Sequence, residues 1–499
     1  MRLAAYIAMM ISINTLAQVN GDWIESGQMK LRVNADGEMA KFNKSAASEL
    51  PIGSNNNLFK FINLWISGND DSNKLHISSV DGFNDNSDYS PGPIDSLTYS
   101  GANPQEWNKV WSISAIEIQN HRKNFQSTNY ITSDVIKYWP ANGTGRFNKY
   151  LAPYIDYDKD GKYDPSKGDY PEIIGNKATY FIVNDNYSEH KASGGQPLKI
   201  EIYGLAYTLA DAPNTVFAKY FIINRTTTNY KNIAVSFHVG FQLGNDKDNF
   251  CGTLVPQNMI FSYNGDANDD NHYGTDKPLA SLMILNKKLA STIYITNDTA
   301  FNSGMPIAPD QHRNMMLGNW KSSNPLTYGG EGMNNTTNTK FVFSGNTDPD
   351  FNGQIWKENS APGDRSMLTN LWFPTLSSKE YLELDIAVSG YEKSVGDPYI
   401  FLDTKANEIR NSWTNHVLSS SENLETAGFT LKSPTLIDEN IYQNWMGTFD
   451  ELIIYNQYGQ IVQKIRTKVQ NTLIIENKGL YYFTFKTENQ IITKKILIF

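Results

Sequence analysis

Strand-length apolar runs follow one another along most of this chain, with turn residues between them. Met29–Val33 and Glu38–Phe42 flank Asn34-Ala35-Asp36-Gly37. That tetrapeptide is a hairpin signal, because Asn and Gly accept the left-handed backbone of a tight turn. Phe59–Ile66, Val110–Ile118, Tyr180–Val183, Ile200–Tyr207, Val216–Ile223 and Ile233–Phe241 continue the pattern. Ala280–Leu285, Ser291–Ile295, Lys340–Phe343 and Tyr381–Val388 extend it. Clusters of Asn, Asp and Gly separate most of these runs. No long stretch repeats apolar residues with the period of a helix. Such a chain can bury its apolar residues only by pairing strands and stacking the sheets. The expected fold class is all-β, with one or two sandwich-like units carrying long loops.

At 499 residues the chain exceeds one ordinary core, and roughly 150 residues per domain suggests about three units. Residues 18–125 are read as an N-terminal β-rich region and 126–418 as a central β-rich passenger. Aromatics make up 12% of the chain, mostly Tyr and Phe, which suits strands with one buried and one wet face. The net charge of −9 with no basic stripe argues against a nucleic-acid partner. Cys251 is the single cysteine, so no intrachain disulfide forms, and a buried thiol acting as a small hydrophobe is the expected role.

The two ends carry a different message. Arg2 is followed by a mostly apolar run, Leu3 to Ile13, and then by Thr15-Leu16-Ala17. Charged, apolar and small-residue regions in that order are the mark of a cleavable signal peptide, here residues 1–17 with Gln18 exposed by cleavage. The run is short of the roughly 20 residues a membrane span needs, and no later segment is apolar enough to span. Ser419 to Thr426 is polar, Ser-rich and acidic, and reads as a linker over 419–427. Beyond it, Leu452-Ile453-Ile454-Tyr455, Ile461 to Ile465, Leu473-Ile474-Ile475, Tyr481 to Phe485 and Ile491 to Phe499 are short runs with turns between. They read as a small Ig-like antiparallel sandwich.

These C-terminal residues resemble the type A sorting domain of the type IX secretion system of Bacteroidetes. The resemblance rests on Ile453-Ile454-Tyr455-Asn456-Gln457-Tyr458-Gly459-Gln460-Ile461-Val462, on Gly479-Leu480-Tyr481-Tyr482 and on Thr493-Lys494-Lys495-Ile496-Leu497, and it covers residues 428–499. It implies export across the inner membrane, recognition by the outer-membrane translocon, and removal of the tag by a sorting peptidase at the cell surface. Where the family opens on a Tyr-Pro-Asn-Pro-like element, this chain has Leu431-Lys432-Ser433-Pro434-Thr435. The central region is similar to a family of Bacteroidetes secreted proteins that end in the same tag. Its shared stretches include Asp156 to Pro171, Gly244 to Asp248, Pro325 to Gly330 and Asp364-Arg365. That family implies architecture and location, not an activity.

One stretch holds chemistry. In Asp156-Tyr157-Asp158-Lys159-Asp160-Gly161-Lys162-Tyr163-Asp164, carboxylates occupy loop positions 1, 3, 5 and 9, and Gly occupies position 6. This is the spacing by which a tight loop wraps oxygen ligands around Ca²⁺, with Lys162 offering its backbone carbonyl at position 7. Position 12 is Lys167, where an EF-hand has a bidentate Glu, so Asp169 or Glu172 would have to reach in. The expected metal set is Asp156, Asp158, Asp160, Lys162, Asp164 and Asp169, binding calcium structurally. A second acidic group, Asp266, Asp269 and Asp270 with Asp246 and Asp248 nearby, lacks regular spacing and reads as solvated turns.

Catalytic signatures are missing from the sequence. It has no His-Glu-x-x-His pair, no Gly-x-Ser-x-Gly elbow and no phosphate-cradling loop,. His238 alternates inside an apolar strand, as a core histidine would. Trp65, Trp107, Trp111, Trp320 and Trp356 could stack on sugars if exposed, although strand aromatics are usually core. The leading expectation is a non-enzymatic adhesive, scaffold or ligand-binding protein, secreted or on the cell surface, with an extracellular glycan or protein as ligand. The alternative is a secreted hydrolase of polysaccharide or protein, which needs two carboxylates facing one cleft.

Overall fold

The computed structural model describes residues 20–266, 268–269, 272–333, 335–417, 451–456, 461–466, 479–486 and 491–498. The expected signal peptide, the linker and the first part of the sorting tag, 428–450, lie outside the described residues. The chain divides into two compact units at Asn407/Glu408.

Two large antiparallel sheets dominate the first unit, beside a three-stranded sheet of Gly21–Ser26, Met29–Asn34 and Ser48–Glu49 and smaller two-stranded pairs, and the fold is all-β and sandwich-like. One nine-stranded sheet runs Ser90–Pro91, Lys177–Asn184, Ile200–Thr208, Thr215–Asn224, Tyr381–Tyr391, Leu279–Ile284, Met259–Asn264, Asn249–Leu254, with Trp111–Ser114 also pairing with Lys177–Asn184. A five-stranded sheet runs Ser291–Ile295, Ser366–Leu376, Tyr230–Phe241, Phe59–Asn69, Leu75–Ser78. Alternate residues of each sheet meet in one interior. Val216, Ala218, Tyr220 and Ile222 come from the first, and Val235, Phe237 and Val239 from the second. Tyr220 and Phe237 touch across the layers with ring centroids 5.3 Å apart. Each buried Val, Ile or Phe side chain among them contributes about 1.5–3 kcal/mol.

The far face of the five-stranded sheet is covered as well. The helix Pro309–Met316 packs there: Asn370 donates to the Met315 carbonyl at 2.9 Å, Trp372 to the Met316 carbonyl at 2.9 Å, and Arg313 to the Ser67 hydroxyl at 2.7 Å. Ser291–Ile295 is therefore buried at every position. This explains why it reads as a continuous run and not as an alternation.

Residues 20–125 share these sheets with the rest of the unit. Phe59–Asn69 is hydrogen-bonded along Tyr230–Phe241, Ile62 opposite Val239 and Trp65 opposite Ser236. Long-range pairing thus joins strands from before and after residue 125 in the same sheets.

Several local expectations are corrected. Val110–Ile118 is a strand only over Trp111–Ser114, and the helix Ala115–Asn124 follows. Ser114 caps that helix, its hydroxyl accepting from the Glu117 N–H at 3.2 Å, the Ser-x-x-Glu start signal. The long helix Pro398–Val417 buries Tyr399, Leu402, Ala406, Ile409 and Trp413, a spacing of alternating threes and fours,. Lys340–Phe343 is not a strand; only Phe341 bridges, to Thr292. The expected turn at 34–37 is present, with Val33 bridging Met39 antiparallel across it, and a further hairpin precedes it, Gly21–Ser26 with Met29–Asn34, turning at Gly27 with φ +59°. In the C-terminal unit the described strands form one four-stranded antiparallel sheet, ordered Ile461–Arg466, Glu451–Asn456, Gly479–Lys486, Ile491–Ile498.

His238 lies in the interior, fully buried, its ring 4.8 Å from Phe61 and 4.9 Å from Trp65. The Ser366 hydroxyl donates to the Ile295 carbonyl at 3.0 Å, so it accepts from His238 Nε2 at 3.0 Å, and the ring is held neutral,. Burial, more than the neighbouring His312, pulls its pKa from 6.5 to about 3. The native state therefore binds fewer protons than the unfolded chain between those values. This group's stabilisation is complete above pH 6.5 and is lost as pH falls toward 3, by up to about 1.4 kcal/mol per pH unit. Urea unfolding of His238→Gln between pH 4 and 6.5 should give a shallower pH slope than the wild type; equal slopes would mean that His238 does not titrate in this way.

Candidate metal centre

The Asp loop joins the short strand Tyr154–Ile155 to its partner Tyr170–Pro171. Because these strands pair, the loop's entry and exit lie side by side, and Asp169 stands next to Asp156 although thirteen positions separate them. Lys159 at φ +61° and Gly161 at φ +75° turn the backbone within the Asp-rich stretch. Gly161 is the position at which the sequence calls for a residue free of Cβ strain.

Asp169 anchors the loop. It is fully buried, and its two carboxylate oxygens accept from the Tyr157 N–H at 2.8 Å and from the Asp164 N–H at 2.8 Å. Its own carbonyl accepts from His121 Nε2 at 3.1 Å, and Tyr130 lies 3.3 Å from the other ring nitrogen. Burial lowers the His121 pKa, consistent with a neutral ring. Asp156 accepts from the Gly161 N–H at 2.8 Å and the Asp160 N–H at 3.2 Å. Tyr163, the expected core anchor, donates from its hydroxyl to the Ile136 carbonyl at 2.7 Å.

The structure brings together half of the expected ligand set. Oxygens of Asp156, Asp158 and Asp169 lie within 4.8 Å of one another. Asp160 and Asp164 stand outside this group. Asp164 accepts from the Ser166 N–H at 2.9 Å and hydroxyl at 2.6 Å, capping the turn Pro165–Lys167. Asp160 accepts from the Lys162 N–H at 2.8 Å and pairs with Lys167 at 2.6 Å. Lys167 also reaches Asp158, at 3.1 Å. The residue at the EF-hand's glutamate position is thus a tethered cation. Its ammonium, with a pKa raised by hydrogen bonds to Asp160 and Asp158, bridges two of the carboxylates and offsets one of their two charges.

The triad fits a hard cation in donor type. Each carboxylate oxygen has two lone pairs, so Asp169 can accept its N–H bonds and still face an ion. Asp156, Asp158 and Asp169 would hold it, with backbone carbonyls completing the shell, and Lys167 competes for Asp158.

The second acidic group is not the solvated turn that its composition suggests. Asp269 is fully buried and accepts from the Asn245 N–H at 2.9 Å and the Tyr273 N–H at 3.0 Å. Asp248 is 7% exposed, and burial together with the Asp269 charge raises its pKa to about 6. Asp246 pairs with Lys60 at 2.6 Å, and Asp364 with the same ammonium at 2.7 Å. Asp270 lies outside the described residues.

The tryptophans proposed for sugar stacking are mostly interior. Trp65, Trp111, Trp320 and Trp356 are at most 4% exposed. Each donates its indole N–H to a backbone carbonyl, those of Val80, Tyr138, Gly332 and Gly330 respectively. A Trp line on a sheet face is therefore excluded among these four. Beside the Asp loop, an open cleft of about 520 Å³ has no carboxylate among its lining residues, so it is not a two-carboxylate hydrolase cleft.

Compared with known protein families and with curated proteins, the chain matches no family model and no curated relative.

Asp169 and Asp160 should respond differently to truncation. Asp169→Ala strips two backbone N–H groups of a buried charged acceptor and is expected to cost about 2–4 kcal/mol. Asp160→Ala should leave the urea midpoint close to the wild-type value. Equal midpoints for the two variants would show that Asp169 does not anchor the loop.

Proposed function

We propose that this chain is a β-protein exported by the type IX secretion system, a non-enzymatic adhesive, scaffold or ligand-binding protein at the cell surface or released from it, with a structural calcium ion in the Asp loop. The observation that carries the calcium reading is the convergence of Asp156, Asp158 and Asp169 within 4.8 Å. A connection closed by a strand pair of only two residues each gains most from a cation that neutralises the clustered carboxylates. Sites of this open kind in extracellular modules bind on the order of 10⁻⁴ to 10⁻³ M, a range in which an exported protein would be loaded outside the cell.

Export is supported by the sequence at both ends: the apolar run after Arg2, and the sorting-domain resemblance over 428–499. Partners on this reading are the outer-membrane translocon and its sorting peptidase, followed by an extracellular glycan or protein. No helix among the described residues is long and apolar enough to cross a membrane.

Fractionation of the native host tests the export reading. Full-length protein is expected outside the outer membrane, with an intact mass that begins at Gln18 and lacks the last segment, while a chain without 428–499 stalls in the periplasm. Equal export of both with the C-terminus retained would overturn it. Thermal unfolding of the purified protein tests the calcium reading. Millimolar calcium should stabilise by about 1–2 kcal/mol relative to chelator, a rise of a few degrees that Asp158→Ala abolishes. Lys167→Glu should bind calcium more tightly, because it removes the competing ammonium and adds an oxygen ligand. Identical melting in calcium and chelator would remove the site.

A further inference from the structure

The cleft beside the Asp loop has a composition that the rest of this acidic chain does not lead one to expect. It has a volume of about 520 Å³, and the residues that line it include Arg122, Lys123 and Gln119 from the end of the helix Ala115–Asn124. Aromatic rings form the rest: Phe125, Tyr157 and Tyr170. A volume of several hundred Å³ is that of a small-ligand site. Two cations and no carboxylate line it, in a protein of net charge −9.

The rings are held in place before any ligand arrives. Phe125 meets Tyr157 edge-on, centroids 5.4 Å apart and planes at 69°. Gly168 forms the floor beneath them, at φ +105°, where a Cβ would come within 2.8 Å of Tyr157 and 2.9 Å of Phe125. Arg122 lies 5.2 Å above the Tyr170 ring. Yet Tyr157 remains 59% exposed. A ring that is fixed in orientation while left wet is poised to cover a flat, partly apolar ligand. Cations at a helix C-terminus also favour the helix dipole, which accounts for Arg122 and Lys123 without any ligand. It does not account for the three rings and the glycine floor that face the same space.

We propose that this cleft binds an anionic saccharide: a sugar unit that stacks a C–H face on Tyr157, sets its carboxylate or sulfate against Arg122 and Lys123, and offers a hydroxyl to the Gln119 amide. The sugar supplies an apolar face, a charge and hydroxyls on one rigid ring, which matches the three kinds of group that line the cleft. This names the ligand class within the ligand-binding reading above and rests on that reading. It requires neither calcium nor export, because the cleft is formed by the helix end and the loop backbone as they stand.

The test is calorimetric titration of the purified full chain with three probes: a galacturonate oligomer, a sulfated oligosaccharide and a neutral oligosaccharide of equal length. At least one anionic probe should bind, about tenfold or more tighter than the neutral one, and weaken as salt rises. The tighter of the two identifies carboxylate or sulfate as the source of the charge. Tyr157→Ala and Arg122→Ala should each lower the affinity by about tenfold with unchanged melting temperatures, and Tyr157→Phe should retain it. Equal binding of neutral and anionic probes overturns the proposal. So does competition by inorganic sulfate at the same concentration as the saccharide, or full affinity in Tyr157→Ala, since either reduces the site to anion attraction at a helix end. Absence of binding by every probe also overturns it. Repeating the titration and the melt in chelator separates the two readings. Saccharide binding with no calcium effect removes the metal and leaves the cleft. A calcium-dependent melt with no saccharide binding removes the cleft and leaves the metal.

Discussion

The fold depends on strand pairs that are far apart in sequence. Tyr230–Phe241 is bonded on one side to Ser366–Leu376 and on the other to Phe59–Asn69, and Ser236 donates to Asn370 across 134 positions at 2.6 Å. None of these strands can bury its inner face until its partners arrive, and closing such loops costs entropy before any contact forms. Stability is correspondingly shared. The interior that includes Phe237, Tyr220 and Trp65 is one cluster fed by both sheets, so the long connections, the Asp loop among them, hang on a frame that forms as a whole.

That dependence explains what the sequence disclosed. Ser291–Ile295 matches to the residue, and Ile200–Tyr207 and Val216–Ile223 to within one residue at each end, because bulky apolar and β-branched residues between turn signals leave few alternatives. Asn249–Leu254 and Ser366–Leu376 escaped notice. Gly252 and the polar Ser366, Thr369 and Asn370 break their apolar runs, and those polar groups are buried only because the fold supplies partners, Ser291 for Asn370 at 2.9 Å and Ile295 for Ser366 at 3.0 Å. Two of the helices, Ala115–Asn124 and Pro398–Val417, were legible in principle. Ser114 with Glu117 is a start signal, and Tyr399, Leu402, Ala406, Ile409 and Trp413 trace a helical stripe; both lie in a chain whose strand signals dominate the eye.

The site was half legible for a related reason. Regular spacing from Asp156 to Asp164 located the loop, since alternate residues of a tight turn face one point. Spacing says nothing of what closes the ring of ligands, because that depends on which segment returns to the loop's mouth. Pairing of Tyr154–Ile155 with Tyr170–Pro171 brings back Asp169 and leaves Asp164 to cap a turn. The same return places Lys167 among the carboxylates. An exposed ammonium on a flexible stem is a weak substitute for an ion that binds three carboxylates at once, since each solvent-exposed pair contributes little. Without metal, Lys167 offsets part of the loop's negative charge, and any cation at Asp158 would compete with it.

Tyr157 ties this electrostatic arrangement to the neighbouring surface. Its backbone N–H is held by Asp169, while its ring sits over Gly168 and against Phe125. The residue is thus fixed twice, once through the loop's buried anchor and once through the end of the helix Ala115–Asn124. His121, on that same helix, donates to the Asp169 carbonyl, so the helix and the loop share a buried hydrogen bond. The placement of the ring follows from anchoring the loop, and the cleft inherits its shape from groups that Asp169, Gly168 and Phe125 already hold in position.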